Sequence, residues 1–177
     1  MTVRLATPAD AAALAEVAAV TFPLACPPDM PSGDVDAFVT TQLSAERFAA
    51  HLADAGRILL VADSGGGAPL AGYVMIVLGE PYAADVAEQI RIRPTAELSK
   101  CYVLPEEQGR GTARALLDRS FALAADRGAA GMWLGTNRAN ARAQRFYAKA
   151  GFEHVGTRRF QVGGRIEHDV VMERPLP

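Results

Sequence analysis

Cysteine, histidine and lysine are scarce in this 177-residue chain, at two, three and two copies. Cys26 lies in a proline-rich stretch and Cys101 in a β-rich run, which makes neither a disulfide framework nor a zinc spacing. His51, His154 and His168 are scattered, so no metal site of soft ligands is expected. Excess positive charge is lacking too: 18 basic against 20 acidic residues leave a net charge of −2. Duplex nucleic acid needs clustered Lys and Arg, so that partner is not expected. The apolar runs are short, broken by charge, and none approaches the ~20 residues of a bilayer span. The opening Met-Thr-Val-Arg-Leu has no basic segment followed by an apolar one, so no secretory leader is expected. These absences predict a cytoplasmic, reducing setting without membrane, nucleic acid or metal.

What is present is a core. Half of the residues are hydrophobic and 21% are charged, enough apolar material to close one domain over residues 1–177. Sixteen of the 18 basic residues are arginine and alanine is abundant, as in GC-rich bacterial genomes. No internal repeat or linker divides the chain.

A short strand is expected at Val3–Leu5, then a helix with Thr7 as N-cap, Pro8 in its first turn and Asp10 closing a capping box. Leu14, Val17 and Ala18 form its apolar stripe, and it is expected to stop near Phe22. Residues 23–33 hold four prolines and read as a loop. Two short helices follow at Val35–Thr41 and Ser44–Ala53. Arg57–Asp63 and Leu70–Leu78 make a hairpin across Ser64-Gly65-Gly66-Gly67. Residues 80–95 are ambiguous, with a helical turn at Ala83–Gln89. Glu97–Leu104 is a strand, and a long amphipathic helix runs from Gly111 to just before Gly128. Met132–Thr136 is a strand, with Met132 and Trp133 facing the core, and Asn140–Ala150 is a helix stopped by Gly151. A second hairpin joins Phe152–Val162 and Arg165–Met172 across Gly163-Gly164. The order predicts an α/β fold with a mixed sheet, parallel where strands flank the long helix.

Chemistry concentrates in Val103-Leu104-Pro105-Glu106-Glu107-Gln108-Gly109-Arg110-Gly111-Thr112-Ala113. A strand ends, two glycines allow close backbone approach, and a helix opens with unpartnered first-turn amides. Those N–H groups and the helix dipole suit an anion such as a diphosphate. A tight turn with glycines for geometry alone is the other reading. Thr112-Ala113 is not the Lys-Ser/Thr of a P-loop, and Trp133-Leu134-Gly135-Thr136 supplies no acidic residue for a dinucleotide fold.

Gln108, Gly111 and Ala113 match (Gln/Arg)-x-x-Gly-x-(Gly/Ala), and Asn140, Phe146-Tyr147 and Gly151-Phe152 match a second block at the proper separation. On these the sequence resembles the GNAT family of N-acetyltransferases, with matching element order over residues 57–174. The resemblance implies a mostly antiparallel sheet of about seven strands flanked by helices, with Leu98–Leu104 and Met132–Thr136 as splayed parallel central strands. It implies acetyl-coenzyme A as donor, its pyrophosphate on the amides of Gly109, Arg110, Gly111, Thr112, Ala113 and residue 114. Gln108 belongs to the same loop. Pantetheine would follow Tyr102 and Val103, with Asn140 and Phe146 beside it. The N-terminal third, Phe22 before the proline-rich loop and the two short helices, also looks like bacterial polyamine acetyltransferases.

An ammonium acceptor must lose a proton before it attacks a thioester, and the departing thiolate leaves more easily if protonated. The resemblance implies Tyr147 as general acid, against ordinary aromatic packing. It implies Glu97 as general base, against a solvated strand-edge carboxylate and a water chain. Asn140 also fits a plain N-cap. Ser99 and Cys101 are expected on the Glu97 face at period two, with Cys101 as inert core. Tyr82, Glu80, Asp85 and Glu88, and Asp29, Asp34 and Asp36, form two acidic groups that would favour cationic amines at an entrance. The reading is N-acetylation of a small primary amine, a polyamine among them. The alternatives are a coenzyme A-sensing module and a peptide N-terminal acetyltransferase. Val170-Val171-Met172 is expected as an intersubunit edge of a homodimer.

Overall fold

The computed structural model describes residues 1–66 and 69–177, with backbone alone at residue 160; Gly67 of the expected turn lies outside the described residues. The elements are β1 (Thr2–Leu5), α1 (Ala11–Ala25), α2 (Ser32–Gln42), α3 (Ala45–Ala53), β2 (Arg57–Asp63), β3 (Gly72–Leu78), α4 (Ala84–Ala87), β4 (Thr95–Val103), α5 (Thr112–Asp126), β5 (Gly131–Asn137), α6 (Ala141–Lys149), β6 (Glu153–Val162) and β7 (Arg165–Pro175). The seven strands form one sheet in the order β1-β2-β3-β4-β5-β7-β6. Every neighbouring pair is antiparallel except β4 with β5. The parallel pair is joined by α5, the crossover that parallel strands require.

Both faces of the sheet are covered. Ile58, Leu60 and Ala62 of β2 pack with Leu116, Leu117 and Phe121 of α5, whereas Leu59 and Val61 pack with Leu14 and Val17 of α1 and Phe48 of α3. This is why β2 is a continuous Ile-Leu-Leu-Val run rather than an alternating one.

Helix α1 outlasts its expected end at Phe22 and runs through Pro23 to Ala25. Phe22 is buried and stacks on Phe38 of α2 at 4.5 Å between ring centroids, so packing carries the last turn past the proline. Pro8–Ala25 is an 18-residue helical stretch long and apolar enough to cross a membrane, which the sequence reading excluded. Its Leu14, Val17, Ala18 and Phe22 are buried against the sheet. The expected capping box forms between Thr7 and Asp10. Asp10 accepts from the Thr7 amide at 2.6 Å and hydroxyl at 2.9 Å, while Arg4 clamps both of its oxygens at 2.9 Å. Ser44 caps α3, its hydroxyl accepting from the Arg47 amide.

The expected intersubunit edge at Val170–Met172 is not an edge. β7 lies between β5 and β6, and Val170, Val171 and Met172 are buried there. Their apolar run reflects burial on both faces of an interior strand.

Candidate active site

β4 and β5 pair over three positions only: Thr95 with Gly131, Ala96 with Met132, and Glu97 with Trp133. Both strands continue, to Val103 and Asn137, with no further ladder between them. The sheet therefore opens into a V whose facing backbone groups have no strand partner, and buried amides must find partners elsewhere.

The register of β4 also breaks. Ile76 faces Leu98 and Met75 faces Lys100, so Ser99 is the extra residue of a bulge. The bulge reverses side-chain parity. Glu97 shares a face with Val77, Lys100 with Met75, and Tyr102 with Tyr73, all on the α1–α3 side. Cys101 faces Val74 and packs in the α5 core, opposite to the expected Glu97 face. Lys100 takes its place.

Two clefts flank the V. One, of about 390 Å³, is lined by Tyr102, Val103, Gln108, Gly109, Gly111, Thr112, Ala113, Asn140, Phe146 and Tyr147. At its far end α5 begins at Gly111, in the left-handed region at φ 87°, with no side chain capping the helix. The first helical bond is donated by Ala115 to the Gly111 carbonyl, which leaves the amides of 112–114 without an intrahelical acceptor. A Cβ built on Gly109 or Gly111 meets nothing within 4 Å, so the space over the loop is open to a ligand. Arg114 and Arg142 add two cations to the lining. The donor set suits a diphosphate. Thr112 brings its amide rather than its hydroxyl, which is buried and bonded to Glu107 at 3.2 Å. Arg110 is absent from the lining; it is exposed and pairs with Glu107 at 3.4 Å.

The second cleft, of about 290 Å³, is lined by Phe22, Met30 and Leu43 on one wall and by Glu97, Lys100, Arg158, Glu167 and Asp169 on the other. Cys101, Tyr102, Asn140 and Tyr147 line both clefts, so the two meet at these side chains. Asn140 caps α6, its Oδ1 accepting from the Ala143 amide at 3.0 Å. Tyr147 is bracketed by Phe146 and Phe152, at 5.3 and 5.8 Å between centroids. Burial raises its phenol well above the ordinary value, with Cys101 and Tyr102 adding to the rise. The Cys101 thiol is hydrogen-bonded to Tyr147 and is pushed up to about 12 by burial. Both groups hold their protons at neutral pH. Tyr147 is thus a proton donor, and Cys101 is a thiol rather than a nucleophilic thiolate.

Glu97 lines the second cleft only, with one oxygen 3.5 Å from the Arg158 guanidinium. Arg158 also bonds Asp169 at 3.1 Å and lies over the Trp133 ring at 5.6 Å. Gly135 makes room for it, since a Cβ there would sit 2.4 Å from Arg158 Nε. Asp169 is raised, chiefly by burial, with Arg158 opposing. Lys100 is lowered by burial, with Glu97 opposing.

The sequence reading missed Lys100, Arg158, Glu167 and Asp169. A signal existed for one pair: counting outward from Gly163-Gly164 sets Arg158 opposite Asp169, as observed. The acidic groups that the reading chose instead do not line either cleft. Asp29 is bound by Arg165 and Glu80 by Arg93, both at 3.0 Å. Tyr82 is fully exposed. Among the described residues no three His, Cys, Asp or Glu side chains gather as a metal site would need.

The seven-stranded sheet is thus split between β4 and β5, with an uncapped glycine-led helix at the split. Residues 25–152 match the acetyltransferase (GNAT) family. The chain is 47% identical over 167 residues, 94% of its length and 98% of theirs, to uncharacterized N-acetyltransferases of Mycobacterium tuberculosis and Mycobacterium bovis. Its fold is similar to that of the PaiA N-acetyltransferase of Thermoplasma acidophilum solved in complex with coenzyme A (TM-score 0.75, 19% identity, 99% of each chain). It is also similar to a GCN5-related N-acetyltransferase of Rhodopseudomonas palustris (TM-score 0.73, 22% identity, 99% of this chain and 95% of that one). This chain belongs to the GNAT family and is an acetyl-CoA-dependent acetyltransferase.

Proposed function

We propose that residues 1–177 act as one cytoplasmic N-acetyltransferase domain that acetylates a primary amine of a small molecule by direct attack in a ternary complex. Polyamines are the first acceptors to test. The observation that carries this reading is the meeting of two clefts at Tyr147, Cys101, Tyr102 and Asn140. One cleft ends on helix amides suited to phosphate and the other is lined by carboxylates suited to an ammonium.

Acetyl-CoA, when bound, supplies the thioester carbon that the acceptor nitrogen attacks and the thiolate that leaves. The amides of 112–114 hold the pyrophosphate, and the open β4 edge at Val103 offers backbone hydrogen bonds to the pantetheine arm. The Tyr147 phenol gives its proton to the departing sulfur. The acceptor proton passes to Glu97, directly or through water, since Glu97 lies in the acceptor cleft.

Two measurements test this. Coenzyme A raises the melting temperature of the wild type by binding the folded state, and Gly111→Glu removes that shift by filling the open space over the loop. An undiminished shift in folded Gly111→Glu would put the phosphate site elsewhere. Thiol release from acetyl-CoA is expected with spermidine or spermine. Turnover of peptide N-termini with polyamines inert would overturn the small-amine reading.

A further inference from the structure

We propose that Lys100 is a site of self-acetylation, its amine taking the acetyl group from acetyl-CoA held in the neighbouring cleft. This rests on the two clefts holding donor and acceptor, as proposed above. Lys100 lines the acceptor cleft, next in sequence to Cys101 and two residues before Tyr102, which line both clefts. The bulge at Ser99 puts it on the face of Glu97 and Tyr102. Two strand residues span ~6–7 Å, a distance that a flexible four-carbon stem covers. Lys149, the other lysine, is exposed on α6 and lines neither cleft.

Lys100 is half-buried, and its side chain makes no hydrogen bond and no ion pair among the described residues. The charged and titratable groups around it are Glu97 on β4, Arg57 on β2, Arg158 on β6 and His51 on α3. Only Glu97 favours a cation there. An ammonium drawn from water without a partner is costly, and the neutral amine relieves that cost. Burial accordingly lowers Lys100, and the neutral amine is the form that attacks a thioester. The Lys100 nitrogen bonds to the thioester carbon as the carbon–sulfur bond breaks. The proton that the nitrogen sheds passes to Glu97, directly or through water, and the sulfur takes the Tyr147 proton. Amine and acetyl-CoA thus give an amide and free coenzyme A. The amide is uncharged, which leaves Arg158 as the one cation facing Glu97, Glu167 and Asp169 among the described residues of the lining.

The test incubates unmodified protein with acetyl-CoA and no added amine, and locates acetyl groups by peptide mass spectrometry. Lys100 is expected to gain one acetyl group at a rate independent of protein concentration. That rate should exceed the rate at Lys149 roughly a hundredfold or more, the scale of positioned proton transfer. Excess coenzyme A, competing for the donor cleft, is expected to suppress the gain at Lys100 alone. Trace labelling with acetic anhydride, in the absence of any coenzyme, follows the Lys100 amine across pH. Its midpoint is expected to be lower in the folded protein than in the urea-unfolded chain. The proposal is overturned by no acetyl group on Lys100, or by a rate equal to that of Lys149. A rate that rises with protein concentration, or that coenzyme A leaves unchanged, also overturns it, as does an unlowered midpoint. Acetylation of spermidine with Lys100 unmodified defeats this proposal alone. An acetyl group on Lys100 with polyamines inert defeats only the polyamine reading.

Discussion

Tyr147 stands where the two clefts meet, and the proposed chemistry asks one thing of it, a proton. Burial against Phe146, Phe152 and Cys101 keeps the phenol protonated, the state a general acid must occupy. Tyr147→Phe retains the ring and its packing but removes the proton. The expected result is a kcat lower by ~10²–10⁴-fold, with acetyl-CoA affinity little changed, since the interaction belongs to the transition state. Steady-state kinetics beside coenzyme A calorimetry checks both halves. Wild-type kcat in the folded variant would reduce Tyr147 to packing. Tyr147 was legible from its place after Asn140. Lys100 was not, because it reaches the Glu97 face only through the bulge at Ser99, and a bulge leaves no mark in a period-two count.

At the scale of elements, the site depends on how closely β3 and β4 run. Gly72 is the reason they can: a Cβ there would lie 2.6 Å from the Tyr102 carbonyl oxygen and 3.0 Å from Val103 Cα. Backbone cannot swing aside as a side chain can. Gly72→Ala is expected to destabilise the fold by about 1–3 kcal/mol, in the range of overpacking. It should also weaken coenzyme A binding, because Tyr102 and Val103 line the cofactor cleft. Gly33→Ala is the control. Gly33 is exposed near the start of α2 and its added Cβ meets nothing within 4 Å. That variant should gain about 0.5–1 kcal/mol from the lower entropy of its unfolded chain. Urea denaturation of both variants makes the comparison. Loss of stability in Gly33→Ala, or none in Gly72→Ala, would contradict this account. The helix start at Thr7, the cap at Ser44 and the turn at Gly163 were legible because each is local. The extra turn of α1 beyond Phe22 was not, since it depends on Phe38 from the next helix.

For the whole molecule, stability depends on pH through groups that line neither cleft, His51 and Asp10. His51 of α3 is lowered from 6.5 to about 4, by burial first and then by Arg57, Lys100 and Arg47. Folding therefore favours the neutral imidazole. Between those two values the unfolded chain binds more protons than the folded one, so stability falls as pH falls through that window. Asp10 behaves differently. Its hydrogen bonds to Arg4 hold it below the usual carboxylate range, so its contribution persists above that range and disappears in more acidic solution. His51→Gln should flatten the slope of unfolding free energy between pH 6.5 and about 4, leaving the steeper acid loss in place. Denaturant titrations at about pH 7, above the window, and about pH 5.5 and 4.5, within it, compare the variant with the wild type. Parallel pH profiles for the two proteins would remove His51 from the account.

Local sequence was enough to place most of the elements and to point to the family. Continuous apolar runs mark β2 and β3 as strands covered on both faces, a period of 3.6 defines the buried face of α5, and glycines mark the turns that only their backbone permits. The Gln108–Ala113 and Asn140–Phe152 blocks carry the acetyltransferase resemblance that the comparison bears out over residues 25–152. Tertiary structure alone decided where β4 and β5 part, on which face Lys100 and Cys101 fall, and that β7 is interior rather than an edge. It also brought Glu97 to Arg158 and moved the acidic wall from the loops to Glu167 and Asp169. The reason is physical. Period, capping and turn chemistry act over a few neighbouring residues, whereas the facing of β4, β6 and β7 is set by packing between segments distant in the chain, and no short window of sequence contains both sides of that contact.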